Sequence, residues 1–226
     1  MPALLSIVAG SADVISFLGS GGLFVAHITG NLIILAARLV ANVRVGLAPI
    51  LSVPVFIAVL ALTRVLGFRL EQRGIAPLRP LLAAQFLLLC AYMVLGIIGG
   101  THAGANDPLT VTAAMFGVAA MAVQNALVQI AVRGAPATAV MTTNITRFTM
   151  DIGEVMMGTD PAAVAAARQR AANTWPAIVG FAVGAALGAA FFAAAGISSL
   201  VLPAGGALLA LGLVVVSPPR PQPASS

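Results

Sequence analysis

The sequence predicts an all-α, polytopic membrane protein, with about six transmembrane helices arranged as two inverted three-helix halves. Three observations point there. Only 8% of its 226 residues are charged, against about 25% in a soluble domain, and the mean hydropathy is +1.07. Several apolar stretches run for about 18–24 residues, each long enough to cross a bilayer. A short polar pattern recurs half a chain length later. A transmembrane barrel would instead show short alternating segments, and none are visible.

The first span is predicted over 3–19. It lacks the basic start of a signal peptide and carries Asp13, so it reads as a mature helix. The next apolar segment, 23–40, opens on "GGLFVAHITGN", an unusual density of glycine and polar groups for an anchor. Gly19, Gly21 and Gly22 permit backbone shapes closed to other residues. The segment is therefore expected to be a broken or re-entrant helix. Spans follow over 47–66 and 80–99, then 109–132, where Asp107-Pro108 sets proline at a first helical turn; Arg79-Pro80 does the same for 80–99. The segment 138–157, "TAVMTTNITRFTMDIGEVMM", is too polar for an ordinary span and is expected to be re-entrant or to lie on the surface. A short surface helix is expected from Asp160, carrying Arg168 and Arg170. Asn173 before Trp175-Pro176 marks the start of a separate span, 174–195, and the last span covers 198–217. The halves divide as 1–105 and 106–217, and the proline-rich end, 218–226, reads as a disordered tail.

The pattern that recurs is "HITGN" (27–31) against "VMTTN" (140–144). Thr29 meets Thr142 and Asn31 meets Asn144, 113 positions apart. Each pentad follows a helix bearing polar groups: Asp13 in the first half, Gln124 and Asn125 in the second. Three true spans per half make the halves inverted, an architecture that places binding groups where helices break near the midplane. All eleven basic residues are arginine, and with both termini cytoplasmic nine lie inside or near that side, leaving Arg38 and Arg44 outside. An eight-span alternative would put Arg44, Arg168, Arg170 and Arg220 outside.

These residues carry a resemblance. "GSADVISFLGSGGLFVAHITGN", with "MAVQNALVQ" and "TTNITRFTMDIG", resembles the YoaK-like family of bacterial membrane proteins. That family is catalogued as a domain of unknown function and usually described with six transmembrane helices. The resemblance covers nearly the whole chain. It implies topology rather than activity. Thr143 stands where the family more often has glycine.

Asp13 is the leading pathway candidate, because an ionisable residue within a span is by default functional. The alternative is a buried carboxylate that holds the amides freed by the break. His27 and Asn31, one turn apart, can face one cavity together with Thr29, and Thr142, Thr143 and Asn144 would supply the second side. Arg147, Asp151 and Glu154 share a helical face and read first as intrahelical ion pairs, second as a gate. Gly180, Gly184 and Gly188 spell GxxxGxxxG, which lets a helix approach closely, within the chain or in a homo-oligomer. The sequence carries no hydrolase, nucleotide or redox motif, so it reads as not an enzyme. It calls for no cofactor and no nucleic-acid partner. With two histidines, His27 and His102, and the lone Cys90, it calls for no metal site. The expected function is a small-solute transporter or channel in the bacterial inner membrane, with a membrane scaffold as the alternative.

Overall fold

The computed structural model describes residues 1–100, 106–132 and 134–216. Its helices are α1 (Pro2–Gly19), α2 (Ile28–Val40), α3 (Leu47–Gln72), α4 (Leu78–Gly99), α5 (Pro108–Ala131), α6 (Met141–Met157), α7 (Pro161–Ala195) and α8 (Val201–Val216). A 3₁₀ turn, Gly196–Leu200, joins the last two. The expected tail at 218–226, with His102, Arg133 and Arg220, lies outside the described residues.

Two helix starts follow from their caps. The Asp107 carboxylate accepts from Thr110 N–H and Asp160 accepts from Ala162 and Ala163 N–H, each just before a proline. An N-cap acceptor satisfies the amides a helix leaves free, and proline at N1 has no amide to satisfy. One expected boundary is absent. The surface helix after Asp160 and the span from 174 are a single helix, α7, which runs through Pro176. Proline interrupts the ladder but is tolerated in membrane helices where neighbours and hydroxyls occupy freed carbonyls. The carbonyl freed here is that of Ala172; just before it in the helix, the Thr174 hydroxyl donates to the Arg170 carbonyl (2.9 Å).

α1, α3, α4 and α5 are long and apolar enough to cross a membrane, and so is the stretch Pro161–Val216. That last stretch doubles back. α7 runs parallel to α1: Gly180 faces Ala3, Gly184 faces Ile7 and Gly188 faces Ser11. α8 runs against α1, since Gly206 meets Val8 while Leu200 clusters with Ile15. The reversal falls at Gly196, whose φ of 58° suits glycine. α2, with 13 residues, is about 20 Å long and cannot by itself span a hydrocarbon core of about 30 Å.

Helix directions follow from matched levels. The Gln124 side chain donates to the Leu5 carbonyl while Ala113 clusters with Ile15, so α5 runs against α1. α3 runs with α5, because Leu47 N–H donates to Asn106 at one end and Gly67 faces Ile130 at the other. α4 packs against α5 in the opposite direction, with Gln85 on Gln124 and Tyr92 on Gly117.

The interior is small and partly polar while the outside is oily. Ala and Gly pack the centre beside buried Asp13, Asn31, Gln85, Gln124 and Asn144. Large aliphatics such as Ile33 (73% exposed), Leu62 and Leu87 face outward. Lipid solvates such a surface, and close packing through small residues then holds the helices together.

Candidate functional site

The first break begins where α1 ends. Gly21 and Gly22 take φ of 68° and 84°, which turn the chain out of the helix. Leu23, Val25 and Ala26 then run buried and non-helical to His27, the N-cap of α2. Buried amides need partners, and Asp13 supplies them from α1. Its Oδ1 accepts from Val25 N–H (2.8 Å) and Ala26 N–H (2.6 Å). Its Oδ2 lies 2.5 Å from His27 Nδ1. Asn31 clamps the preceding residue from both sides: Oδ1 accepts from Phe24 N–H (2.9 Å), and Nδ2 donates to the Phe24 carbonyl (2.7 Å) and to Ser52 (3.0 Å). The Phe24 ring stacks on Phe17, centroids 4.9 Å apart. Outside, Arg38 donates to the Gly21 carbonyl (2.7 Å).

The second break repeats this path with different chemistry. Gly134 takes φ of 79°, and α6 starts at Met141, 113 positions after Ile28. The N-cap dihedrals agree: −90° and 64° at His27, −112° and 67° at Val140. Asn144 Nδ2 donates to the Ala137 carbonyl (2.6 Å), the counterpart of the Asn31 bond to Phe24. The carboxylate has no counterpart, because Ala126 stands 113 positions after Asp13. An amide network braces this break instead. Gln124 Nε2 donates to the Thr138 hydroxyl (2.8 Å) and the Leu5 carbonyl (2.9 Å), while its Oε1 accepts from Gln85 (2.6 Å).

Between the breaks lies a cavity of about 450 Å³. Residues 26–29 line one side and 139–142 the other, the same positions of the two patterns. Its polar groups are His27, Thr29, Asn125, Gln129 and Thr142, and Phe56 and Leu60 of α3 form an apolar wall. His27 connects the cavity to the buried carboxylate: its ring lines the space, edge-on to Phe181, with Nδ1 on Asp13. Asp13 itself is 2% exposed and stands behind the histidine.

Of the residues singled out from sequence, His27, Thr29, Asn125 and Thr142 come together here. Asn31 and Asn144 turn away and hold the broken backbone, and Gln124 braces the second break through the Thr138 hydroxyl. Thr143 is exposed on α6 and does not line this cavity. Gln129, Gln85, Thr138 and Ser52 were not singled out. A glutamine set among apolar residues, Ala84 and Phe86 for Gln85 and Val128 and Ile130 for Gln129, is a legible signal for the first two, whereas the hydroxyls need the tertiary contacts to be noticed.

A second cavity, of about 400 Å³, opens between α6 and α7 and includes Asn144, Arg147, Asp151, Arg170 and Asn173. The expected intrahelical pairing is corrected here. Asp151 Oδ1 binds Arg170 of α7 through Nε (2.8 Å) and Nη2 (2.7 Å), not Arg147 of its own helix. Burial of the Asp151 side turns it toward α7, while Arg147 and Glu154 are exposed. Gly180, Gly184 and Gly188 are buried in the seam with α1 of the same chain.

A family model described as "Protein of unknown function (DUF1275)" matches residues 1–214. Neither the curated proteins nor the solved structures contain a match.

Proposed function

We propose that this chain, which belongs to the DUF1275 family of proteins of unknown function, moves a small solute across the bacterial inner membrane through the cavity between its two helix breaks. One observation carries the reading: equivalent positions of two helix starts, 26–29 and 139–142, face each other across a polar-lined space of about 450 Å³. Membrane transporters build solute sites from unwound backbone and short polar side chains at such paired breaks. The six-crossing, inverted arrangement is supported by α5 running against α1 and α8 running against α4, with Arg79 on Val214 at one end and Gly96 on Leu200 at the other. The arginine distribution supports cytoplasmic termini.

In this scheme the hydroxyls of Thr29 and Thr142 and the amides of Asn125 and Gln129 replace part of the solute's hydration shell. The Asp13–His27 pair sets the shape and charge of one wall. Uptake into proteoliposomes across a panel of neutral, anionic and cationic solutes tests this. Asp13→Asn keeps the shape of the side chain but loses its charge, and is expected to abolish uptake in protein that still folds. A folded Asp13→Asn protein with unchanged uptake would remove Asp13 from the mechanism. For the topology, single cysteines at 106 and at 70–76 in a Cys90→Ala background are expected to label from outside and from inside respectively; the reverse pattern refutes the orientation.

A second reading, a membrane scaffold, is favoured by one observation. Asp13, Asn31 and Asn144 all spend hydrogen bonds on the backbone of the breaks, which is what mending a break requires. Water decides between the two. A cysteine at Thr142 that no water-soluble thiol reagent reaches from either face would select the scaffold.

A further inference from the structure

Residues 134–140 lie between two cavities. Ala137, Ala139 and Val140 line the central one, and Gly134, Ala135 and Pro136 line the one between α6 and α7. Most residues around the outer cavity carry polar or charged side chains, and Asn144 is part of its wall as well as the tie on Ala137. The first break has a different setting. Positions 33, 34, 37, 57, 60 and 61, which match the outer cavity's lining, are all apolar. Arg38, at the matching position to Asp151, closes over the Gly21 carbonyl.

The two segments are also held with unequal strength. Segment 21–27 is fixed by a buried carboxylate on two amides and a histidine, by both groups of Asn31, and by the Phe24–Phe17 stack. Segment 134–140 is tied by side chains at the Ala137 carbonyl and the Thr138 hydroxyl. Alanine stands where the first break has Phe24. Charge-assisted hydrogen bonds are about twice as strong as neutral ones, and a carboxylate stripped of its donors inside a membrane is costly. Among the described residues, lifting 134–140 breaks neutral side-chain hydrogen bonds only. The freed Asn144 amide already borders a polar cavity, where water can take the place of Ala137.

We infer that 134–140 is a movable partition, that the cavity between α6 and α7 is the antechamber of the central one, and that Asn144 is the latch. The antechamber role rests on the transport reading above; the mobility of the segment does not. Asn144 is a positioning residue here, acting on the solute's route through the backbone it holds.

Hydrogen exchange of the wild-type protein in lipid nanodiscs tests the partition without any solute. Amides of 137–140 are expected to exchange about tenfold faster than those of 23–26, the weight of roughly one net hydrogen bond. Asn144→Leu, close to isosteric, is expected to speed 137–140 further and leave 23–26 unchanged. Equal exchange in the two segments, or slower exchange in 137–140, overturns the inference. The wild-type measurement decides even if the variant fails to fold. For the route, cysteines at Ala137 and Asn144 in a Cys90→Ala background, joined by a short thiol cross-linker, are expected to stop proteoliposome uptake. Uptake that persists after cross-linking overturns the partition and leaves the transport reading standing. Fast exchange at 137–140 without uptake of any solute supports the mobile segment and overturns the transport reading.

Discussion

Residues 21–27 and 134–140 make the same detour between helices, 113 positions apart, with a positive-φ glycine near the start and an asparagine clamp four residues past the end. Their burial runs in nearly the same order along the chain. They differ in what satisfies them. A carboxylate and a histidine hold the first, and neutral amides and a hydroxyl hold the second. Matched geometry with unmatched chemistry teaches that the shape of the break belongs to the repeat, while its rigidity belongs to whichever residue the preceding helix offers. Asp13 and Ala126 are that difference in one position.

The helix seams show the same inequality. α7 meets α1 through Gly180, Gly184 and Gly188, where added methyl groups would run into the backbone at Ala3, Ile7 and Ser11. Gly67 of α3, 113 positions before Gly180, has the Ile130 side chain as its nearest neighbour, 3.1 Å from an added Cβ. Backbone cannot yield as a flexible side chain does, so the first seam is strict and the second tolerant.

Removing Asp13 should have the largest effect on this contrast. Asp13→Ala strands two buried amides and a histidine, and we expect a loss of about 3–5 kcal/mol in reversible unfolding in bicelles, in the range for breaking a buried charge pair. Ala126→Ser, at the matching site, is expected to change stability by less than about 1 kcal/mol. Comparable losses at both sites would break the comparison. Next come the seams: Gly184→Ala is expected to cost about 1–3 kcal/mol and Gly67→Ala clearly less, read as a difference in thermal midpoint. Equal midpoints would mean that α1 shifts aside as easily as the Ile130 side chain. The asparagines follow. Asn31→Ala removes three hydrogen bonds and Asn144→Ala one to oxygen, so losses of about 2 and about 1 kcal/mol are expected by denaturant titration; the reverse order would place the rigid break in the second half. The smallest effect belongs to the Asp151–Arg170 pair, whose arginine side chain is 58% exposed. Asp151→Asn is expected to cost under about 1 kcal/mol, and its dependence on salt concentration is the sharper readout.

Much of the secondary structure is legible in the sequence. The prolines after Asp107 and Asp160 marked helix starts, and Gly21-Gly22 marked the first break. The joint at 173–176 is not legible, because Pro176 reads as a first-turn residue until α7 is seen packed on α6 before it and on α1 after it. Asp13 was singled out for its cost in a membrane, and its role as a cap for Val25 and Ala26 stood among the alternatives. The partner of Asp151 was not legible, since Arg170 lies 19 positions away and helical spacing offers only neighbours at three and four.

By itself the sequence determined the membrane class, the 113-residue recurrence, the helix starts after Asp107 and Asp160 and the break at Gly21-Gly22, because composition, glycine conformation and capping chemistry act locally. Only the tertiary structure decided which polar groups face a cavity and which are consumed in holding the backbone. His27 and Asn31 sit one turn apart in the same pentad, yet one lines the open space and the other is spent on Phe24 and Ser52. The physical reason is that a freed amide or carbonyl in a membrane takes the nearest polar group in space, and which group is nearest depends on how α1, α3 and α5 pack around the break.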